Sequence, residues 1–242
     1  MKKRLAVLFF CLLVGTNLAK AQNWANGIDD DWFNWGYSFQ YISAEYKIWK
    51  NPNWREPFTD ASGLPVTNGL SSISSKPTPG FAIGFVGNRK LTSHLDARFT
   101  PNLVFSERKI NYTTLDQEVL SPKITATMID LPLSLKLKSD RLMNFRAYMI
   151  GGLKYSIDMA STKKQNNAEV LDELQKFVNN KKTFLSYEAG AGMDFYFSFF
   201  KLSTEVKVSQ SFKNILVREQ TVFAQPIDKA KLRHFTFSLF FE

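Results

Sequence analysis

Cysteine is the rarest residue of this sequence, with a single copy at position 11. Cys11 lies within the opening stretch MKKRLAVLFFCLLVGTNLAKA, which has a basic start, an apolar run and small residues at Ala19 and Ala21. This pattern predicts a secretory signal peptide over residues 1–21, with cleavage after Ala21. The exported mature chain would then lack cysteine altogether, which excludes a disulfide framework.

A lipoprotein anchor at Cys11 is the competing interpretation of the same segment. Lipoprotein processing needs small residues before the cysteine, whereas here Leu8, Phe9 and Phe10 precede it. We therefore favour a signal peptide that is removed completely.

Long apolar runs are also missing, because none after Gln22 approaches the ~20 residues that a membrane helix requires. A mature chain of this kind can cross a membrane only with the strands of a closed barrel, in which every backbone amide has a partner. The whole chain has 31 basic and 22 acidic residues, and four of the basic ones belong to the signal peptide. This modest balance, without a basic run or an RNA-binding motif, argues against nucleic acid as a partner.

Residues for catalysis are few, since the only histidines are His94 and His234. The sequence contains no GxSxG, no HExxH and no phosphate-binding glycine loop. We therefore expect no enzyme activity, no cofactor, no metal site and no small-molecule substrate. A lipid-modifying enzyme stays open as an alternative, because His234 and either Ser209 or Ser211 fall near one rim of the predicted barrel. The three carboxylates at residues 29–31 lack ligand geometry and are interpreted as a solvated segment.

What the sequence does contain is strict alternation of apolar and polar residues. In the stretch IDLPLSLKL every second residue is apolar, which predicts a strand with one apolar and one polar face. In the first such segment the phase changes after residue 42, which predicts a β-bulge near Ser43. Eight segments are interpreted as strands: residues 35–48, 80–87, 95–105, 124–138, 145–157, 185–197, 202–208 and 234–242.

The connections between these strands alternate between long and short. The long ones cover residues 51–79, 113–123, 160–182 and 213–230. An even strand number, tight periplasmic turns and long outer loops are typical of outer-membrane barrels. We therefore predict an all-β protein: an eight-stranded antiparallel up-and-down transmembrane β-barrel over residues 35–242, after a periplasmic segment at 22–34. Ten strands remain possible if the first long loop contains a hairpin, and a soluble barrel of the lipocalin type is the main alternative fold.

The polar face of the predicted strands carries equal numbers of acids and bases. In an eight-stranded barrel side chains fill the interior, and charges buried there must be paired. The sequence therefore predicts a filled lumen without an open pore. The residues assigned to this lumen charge network are Asp96, Arg98, Asp130, Lys136, Arg146, Lys154, Glu188, Asp194, Glu205 and Lys207.

The third long loop departs from the two-residue period. Its apolar residues are spaced as one stripe of a short amphipathic helix. Such a stripe either packs on the loops of the barrel itself or docks on a partner protein, since helix-in-groove binding uses anchors at this spacing. The possible partner surface consists of Val170, Leu171, Leu174, Phe177 and Val178.

The second half of the chain resembles a known family. The stretches MIDLPLSLKLKS, AYMIGGLKYSIDMAS, YEAGAGMDFYFSFFKLSTEVKVSQSFKNIL and FSLFFE look like those of the PorT/SprT outer-membrane proteins of Bacteroidota. The first half matches only the general barrel pattern, in GFAIGFVGNRKL and ARFTPNLVFSERKI. The resemblance implies an accessory component of the type IX secretion system, needed for gliding motility in gliding species, with other secretion subunits and outer-membrane lipid as partners. It implies no catalytic or cofactor-binding residues. The alternative is a general small barrel for adhesion or envelope stability.

Overall fold

The computed structural model describes residues 31–59, 65–159, 179–218 and 221–242, and of residues 123–126 the backbone alone. The predicted signal peptide, Asp29, Asp30 and the predicted helical stripe lie outside the described residues. No helix in the described part is long and apolar enough to span a membrane. The strands are β1 Phe33–Lys50, β2 Leu70–Ser74, β3 Thr78–Lys90, β4 Leu95–Phe99, β5 Asn102–Lys109, β6 Asn111–Thr114, β7 Val119–Leu120, β8 Lys123–Lys138, β9 Phe145–Asp158, β10 Thr183–Tyr196, β11 Lys201–Ser211 and β12 Ile227–Phe241.

The large sheet closes on itself. Strand β1 pairs antiparallel with β12 on one side and with β3 on the other, and the remaining strands follow in chain order around the ring. Strands β4 and β5 are two halves of one wall strand, because both lie between β3 and β8 and only Thr100 and Pro101 separate them. The ring therefore has eight wall positions, which confirms the predicted eight-stranded antiparallel barrel.

The first long loop adds no barrel hairpin. Its strand β2 pairs with β6, and β6 pairs with β7, so these three form a small separate sheet. The ten-stranded alternative is therefore wrong. Strand β12 begins at Ile227, well before the predicted start at residue 234, so its upper part lies within what the sequence predicts to be the last loop.

The connections have the predicted asymmetry. Short turns at residues 91–94, 139–144 and 197–200 lie at one end, together with the start of β1 and the end of β12. We call this the short-turn end. Residues 51–77, 110–122, 159–182 and 212–226 connect the strands at the opposite, long-loop end. On the short-turn side His94 Nε2 lies 2.9 Å from Asp140 Oδ1, and this hydrogen bond lowers the pKa of the Asp140 carboxyl.

The wall strands alternate between an exposed apolar face and a buried face. On β8, Leu133 and Leu135 are 62% and 54% exposed, whereas Lys136 between Leu135 and Leu137 is 1% exposed. The two-residue period of a strand makes this alternation obligatory once one face turns inward. The apolar residues of the wall therefore form an outer belt, and the charged residues point into the lumen.

The predicted bulge near Ser43 is wrong. Strand β1 keeps its register with β12 until a shift between Trp49 and Lys50, and with β3 over the whole of their pairing. Ile42, Ala44 and Tyr46 all face inward and are buried. The chemistry of the lumen changes along the strand while the backbone stays regular, because the inner face of β1 becomes apolar toward the long-loop end.

An apolar cluster closes the lumen at the long-loop end. Strand tops, the small sheet and the last long loop all contribute to this apolar cap. The Tyr112 hydroxyl donates to the Phe223 carbonyl oxygen at 2.6 Å, and burial raises the pKa of Tyr112. The cap consists of Ile42, Tyr46, Leu70, Ile73, Ala82, Val104, Ile110, Tyr112, Met128, Phe184, Ile215, Leu216, Phe223, Ile227, Ala230 and Leu232.

Two adjacent glycines of β9 differ in how closely the next strand approaches. A Cβ atom on inward Gly152 would lie 2.6 Å from Ser134 Cα and nearer still to the Leu133 carbonyl oxygen, both on the β8 backbone. A Cβ on outward Gly151 would find its nearest neighbour, the Glu188 carbonyl oxygen, at 3.8 Å. We expect Gly152→Ala to lower the free energy of unfolding by about 1–3 kcal/mol, because the strand ladder must shift to admit the methyl group.

Gly151→Ala is the matched control, and it should be neutral or slightly stabilising, since alanine restricts the unfolded chain. Both variants are unfolded with urea from the same lipid vesicles, and the folded fraction is measured by heat-modifiable gel migration. Equal stability of the two variants would contradict the close approach of β8 to Gly152.

Candidate functional site

The lumen below the cap is the candidate site, and it gathers most of the charges singled out in the sequence. Nine of the ten are buried: Asp96, Arg98, Asp130, Lys136, Lys154, Glu188, Asp194, Glu205 and Lys207. Arg146, the tenth, faces the same side but is partly exposed near the short-turn end. The strand period places them there, because each occupies an inward position of its strand.

Arg98 is the centre of the network near the short-turn end. Its guanidinium donates to Asn88 Oδ1 at 2.7 Å, to Glu205 Oε2 at 2.9 Å and to Glu242 Oε1 at 3.3 Å. The ring of Phe240 lies against it, with its centroid 4.7 Å from Arg98 Cζ. The planar five-donor head of arginine suits such a site, since it contacts several acceptors in fixed directions.

A second ion pair lies beside Arg98. Lys136 Nζ donates to both carboxylate oxygens of Asp194, at 2.8 and 2.7 Å, and Ser203 Oγ donates to Asp194 Oδ1 at 2.6 Å. Lys201 Nζ forms an ion pair with Glu242. Both cations therefore have a charged partner, as groups buried at this depth require.

The middle of the lumen repeats this arrangement. Lys207 Nζ lies between two acids, 3.3 Å from Glu188 Oε1 and 3.2 Å from Glu205 Oε1. Ser134 donates to Glu188 at 2.7 Å, and the Tyr148 hydroxyl donates to Glu205 at 2.9 Å. Each carboxylate is therefore held by a cation and a hydroxyl, so the charges neutralise one another across the barrel.

Lys154 joins the middle of the lumen to His234. Its ammonium lies 3.1 Å from Asp130 Oδ2, donates to Ser209 Oγ at 3.1 Å and lies 3.2 Å from His234 Nδ1. His234 is 1% exposed, and the apolar cap lies above it. This geometry gives no support to the lipid-modifying enzyme. Ser209 and His234 both contact the Lys154 ammonium, and they do not pair with each other as a nucleophile and its base would. Ser211 donates instead to the Lys213 carbonyl oxygen, at 3.1 Å.

Five charged residues of the lumen were missed in the sequence. Arg108 Nη1 lies 3.7 Å from Asp158 Oδ2 below the cap, and Lys138 Nζ lies 2.8 Å from Asp96 Oδ1 near the short-turn end. Lys201 and Glu242 complete the set. All five occupy inward positions near the ends of their strands, so extending the two-residue period by a few positions predicts them.

Little space remains among the described side chains in the middle of the lumen. One cavity there, between Gln40, Asn102, Asp130, Lys154 and Lys207, measures about 10 Å³. A volume of that size holds about one water molecule. In the described part of the chain, paired charges therefore fill the lower and middle lumen, and the apolar cap fills the upper part.

A closed antiparallel barrel with an apolar outer belt and a lumen of paired charges is the architecture of an integral outer-membrane protein. A family model described as "Outer membrane protein beta-barrel domain" matches residues 12–217. The chain belongs to this family, so its place is the outer membrane. Short turns of such barrels face the periplasm and long loops face the outside of the cell.

Solved structures of outer-membrane proteins are similar in fold. OprG from Pseudomonas aeruginosa is 12% identical, with 86% of this chain and 92% of OprG covered and a TM-score of 0.41. AlkL, solved in lipid bilayers, is 12% identical over 93% of this chain and 92% of its own, with a TM-score of 0.36. LpxR from Salmonella typhimurium is 8% identical, covering 84% and 99%, with a TM-score of 0.27. No curated protein sequence matches this chain significantly.

Proposed function

We propose that this outer-membrane barrel is a non-enzymatic accessory component of protein secretion, and that it acts through contacts with other subunits. The observation that carries the proposal is the filled lumen. In the part of the chain that the structure describes, the paired charges surround a cavity of only about 10 Å³, which is too small for a solute to pass. A barrel that passes nothing through its centre acts through its outer surfaces, which are its loops, its turns and its wall.

The secretion system itself is proposed from the family resemblance of the second half of the chain. That resemblance points to the type IX secretion system of Bacteroidota, and in gliding species to export of the adhesins used for motility. The predicted stripe of Val170, Leu171, Leu174, Phe177 and Val178 is the proposed partner surface. It belongs to the third long loop, which starts and ends at the long-loop end of the barrel.

The experiment is deletion of the gene, followed by proteomics of the culture medium and the periplasm. Loss of a secretion component should trap precursors of secreted proteins in the periplasm, while the wild-type gene restores their export. An unchanged set of secreted proteins would remove the secretion role and leave a barrel for adhesion or envelope stability. Resistance to detergent and to large antibiotics is measured in parallel, so that a leaky envelope is not mistaken for a secretion defect.

The partner surface is tested in the same deletion strain. A copy with Leu174→Ser and Phe177→Ser should fold, judged by heat-modifiable migration, but fail to restore secretion. The matched control replaces Leu115 and Val119 with serine, since these are exposed apolar residues on another long loop, 62% and 59% exposed. Restoration by both double variants would exclude the stripe, and affinity isolation from solubilised outer membranes would then be used to locate the contact.

Two further measurements separate the proposal from its alternatives. The purified barrel should pass no steady current in planar lipid bilayers, because the lumen is filled. A copy with His234→Ala should restore secretion, because a non-enzymatic barrel needs no catalytic base at that position. A stable conductance would favour a channel, and failure of a folded His234→Ala barrel would favour an enzyme.

A further inference from the structure

The outer face of β1 and β12 changes from aromatic to basic near the long-loop end. Tyr41 and Phe235 are exposed in the apolar belt. Beyond them on the same face lie Glu45 opposite Arg233, Lys47 opposite Lys231, and Trp49 opposite Lys229. We call the four cations Lys47, Lys229, Lys231 and Arg233, grouped around Trp49, the upper basic patch.

The centre of this patch places two like charges side by side. Lys47 and Lys231 are directly paired across the two strands, and both ammonium groups lie 5.8 Å from the centre of the Trp49 ring. Like charges directly opposite on a sheet destabilise it. No described carboxylate lies within ion-pair distance of either lysine. The fold therefore keeps an uncompensated pair of cations at one point of its outer wall.

The acids of the neighbourhood are already engaged. Glu45 accepts from Arg233 Nε at 2.6 Å. Asp228 accepts from Arg218 at 2.9 Å, and Lys229 lies 3.6 Å from its other carboxylate oxygen. The patch consequently has a net positive charge that an external anion would neutralise.

The position of the patch identifies the kind of anion. Trp49 is 40% exposed on the outer wall, and tryptophan side chains in barrels gather at the level of lipid headgroups. The apolar belt begins directly below, so a ligand at the patch would have its hydrophobic part against Tyr41 and Phe235. This arrangement suits an anionic group joined to acyl chains better than a free ion.

We propose that the upper basic patch binds the phosphorylated headgroup of a lipid in the leaflet on the long-loop side. The two lysines contact the phosphate as point charges, and Arg233 has donors to spare beyond those it uses on Glu45. Basic residues beside a membrane attract anionic headgroups in this way. The proposal does not depend on a role in secretion.

Binding is tested on the folded full-length barrel in a zwitterionic detergent by native mass spectrometry. The probes are bisphosphorylated lipid A, the same lipid without its phosphates, and inorganic phosphate as competitor. Lys47→Gln with Lys231→Gln should weaken binding of the phosphorylated lipid about thirtyfold, since each cation near the membrane surface raises the affinity about fivefold. The matched control is Lys181→Gln with Lys182→Gln, which removes two exposed lysines just before β10, at the same end of the barrel, and should leave the affinity unchanged.

The outcomes separate a headgroup site from general attraction. The proposal requires preference for the phosphorylated lipid, loss in the Lys47/Lys231 double variant alone, and little competition from inorganic phosphate. Equal loss in both double variants, or equal binding of the dephosphorylated lipid, would overturn it, and full competition by inorganic phosphate would indicate a site for the free ion. Without lipid A the Lys47/Lys231 variant should unfold at the same urea concentration as the wild type or a higher one, because a repulsive pair has gone.

Discussion

Replacing Arg98 with methionine is expected to lower the free energy of unfolding of the barrel by about 3–5 kcal/mol. Methionine retains much of the length of the side chain and its contact with Phe240 but removes the charge and all its donors. Glu205 and Glu242 then lose their shared cation while they stay buried, at 0% side-chain exposure. The loss is large because Lys207 and Lys201 still pair with Glu205 and Glu242, but the buried network then has one carboxylate more than it has cations and no water to solvate that charge.

The matched control is Arg218→Met at the barrel rim. Arg218 Nη2 lies 2.9 Å from Asp228 Oδ1, the same distance as between Arg98 Nη1 and Glu205 Oε2, but its side chain is 74% exposed. An exposed ion pair contributes about 0–1 kcal/mol. Urea unfolding from lipid vesicles, followed by heat-modifiable migration, compares the two variants under one condition. Similar losses in both would mean that the lumen is wet and that its charges are not buried.

A double-variant cycle isolates the pair itself. Glu205→Gln alone leaves the Arg98 guanidinium with Glu242, and it leaves Lys207 with Glu188. If Arg98 and Glu205 interact directly, the losses from the two single variants will not add up in the double variant. Additive losses would mean that Arg98 stabilises the barrel through its contact with Glu242 and not through Glu205.

The membership of the lumen network was readable in the sequence because a strand has a two-residue period. Once Leu133 and Leu135 are assigned to the outside, Ser134 and Lys136 must point inward. Pairing within the network was not readable in the same way. Arg98 reaches Glu205, 107 residues further along the chain, and this contact depends on how far each strand is staggered against the next.

The prediction failed where the inner face changed from polar to apolar. The bulge predicted near Ser43 places Tyr46 and Ile48 on the outer, apolar face, and this placement holds only if the lumen is polar along its whole length. The long-loop end is instead filled by the apolar cap, to which Tyr46 contributes while keeping its inward position. The polarity of a side chain therefore shows whether it points inward or outward only where the interior is known to be polar or apolar. The loops that form the apolar cap have no periodic pattern, so the sequence does not reveal the cap.

Leu133→Arg is the second expected large effect, a loss of about 2–4 kcal/mol when the barrel is in a lipid bilayer. Leu133 lies at the centre of the outward run of β8, opposite Leu153 on β9 and Phe99 on β4. If this belt faces hydrocarbon, the guanidinium must either enter it or bend toward the headgroups, and both cost free energy. On a wall facing water the same change at a site 62% exposed would stay within about 0.5 kcal/mol.

The control is the same kind of substitution near the end of the barrel, where the side chain lies close to the membrane surface. Thr183 begins β10 at the long-loop end on the same outer face and is exposed. Thr183→Arg should cost only about 0–1 kcal/mol, because an arginine near the interface reaches water and headgroups. Urea unfolding of both variants from vesicles of one thickness gives the depth dependence directly. A clear difference between Leu133→Arg and Thr183→Arg follows only if the belt lies in the membrane, since water outside the wall would treat the two positions alike.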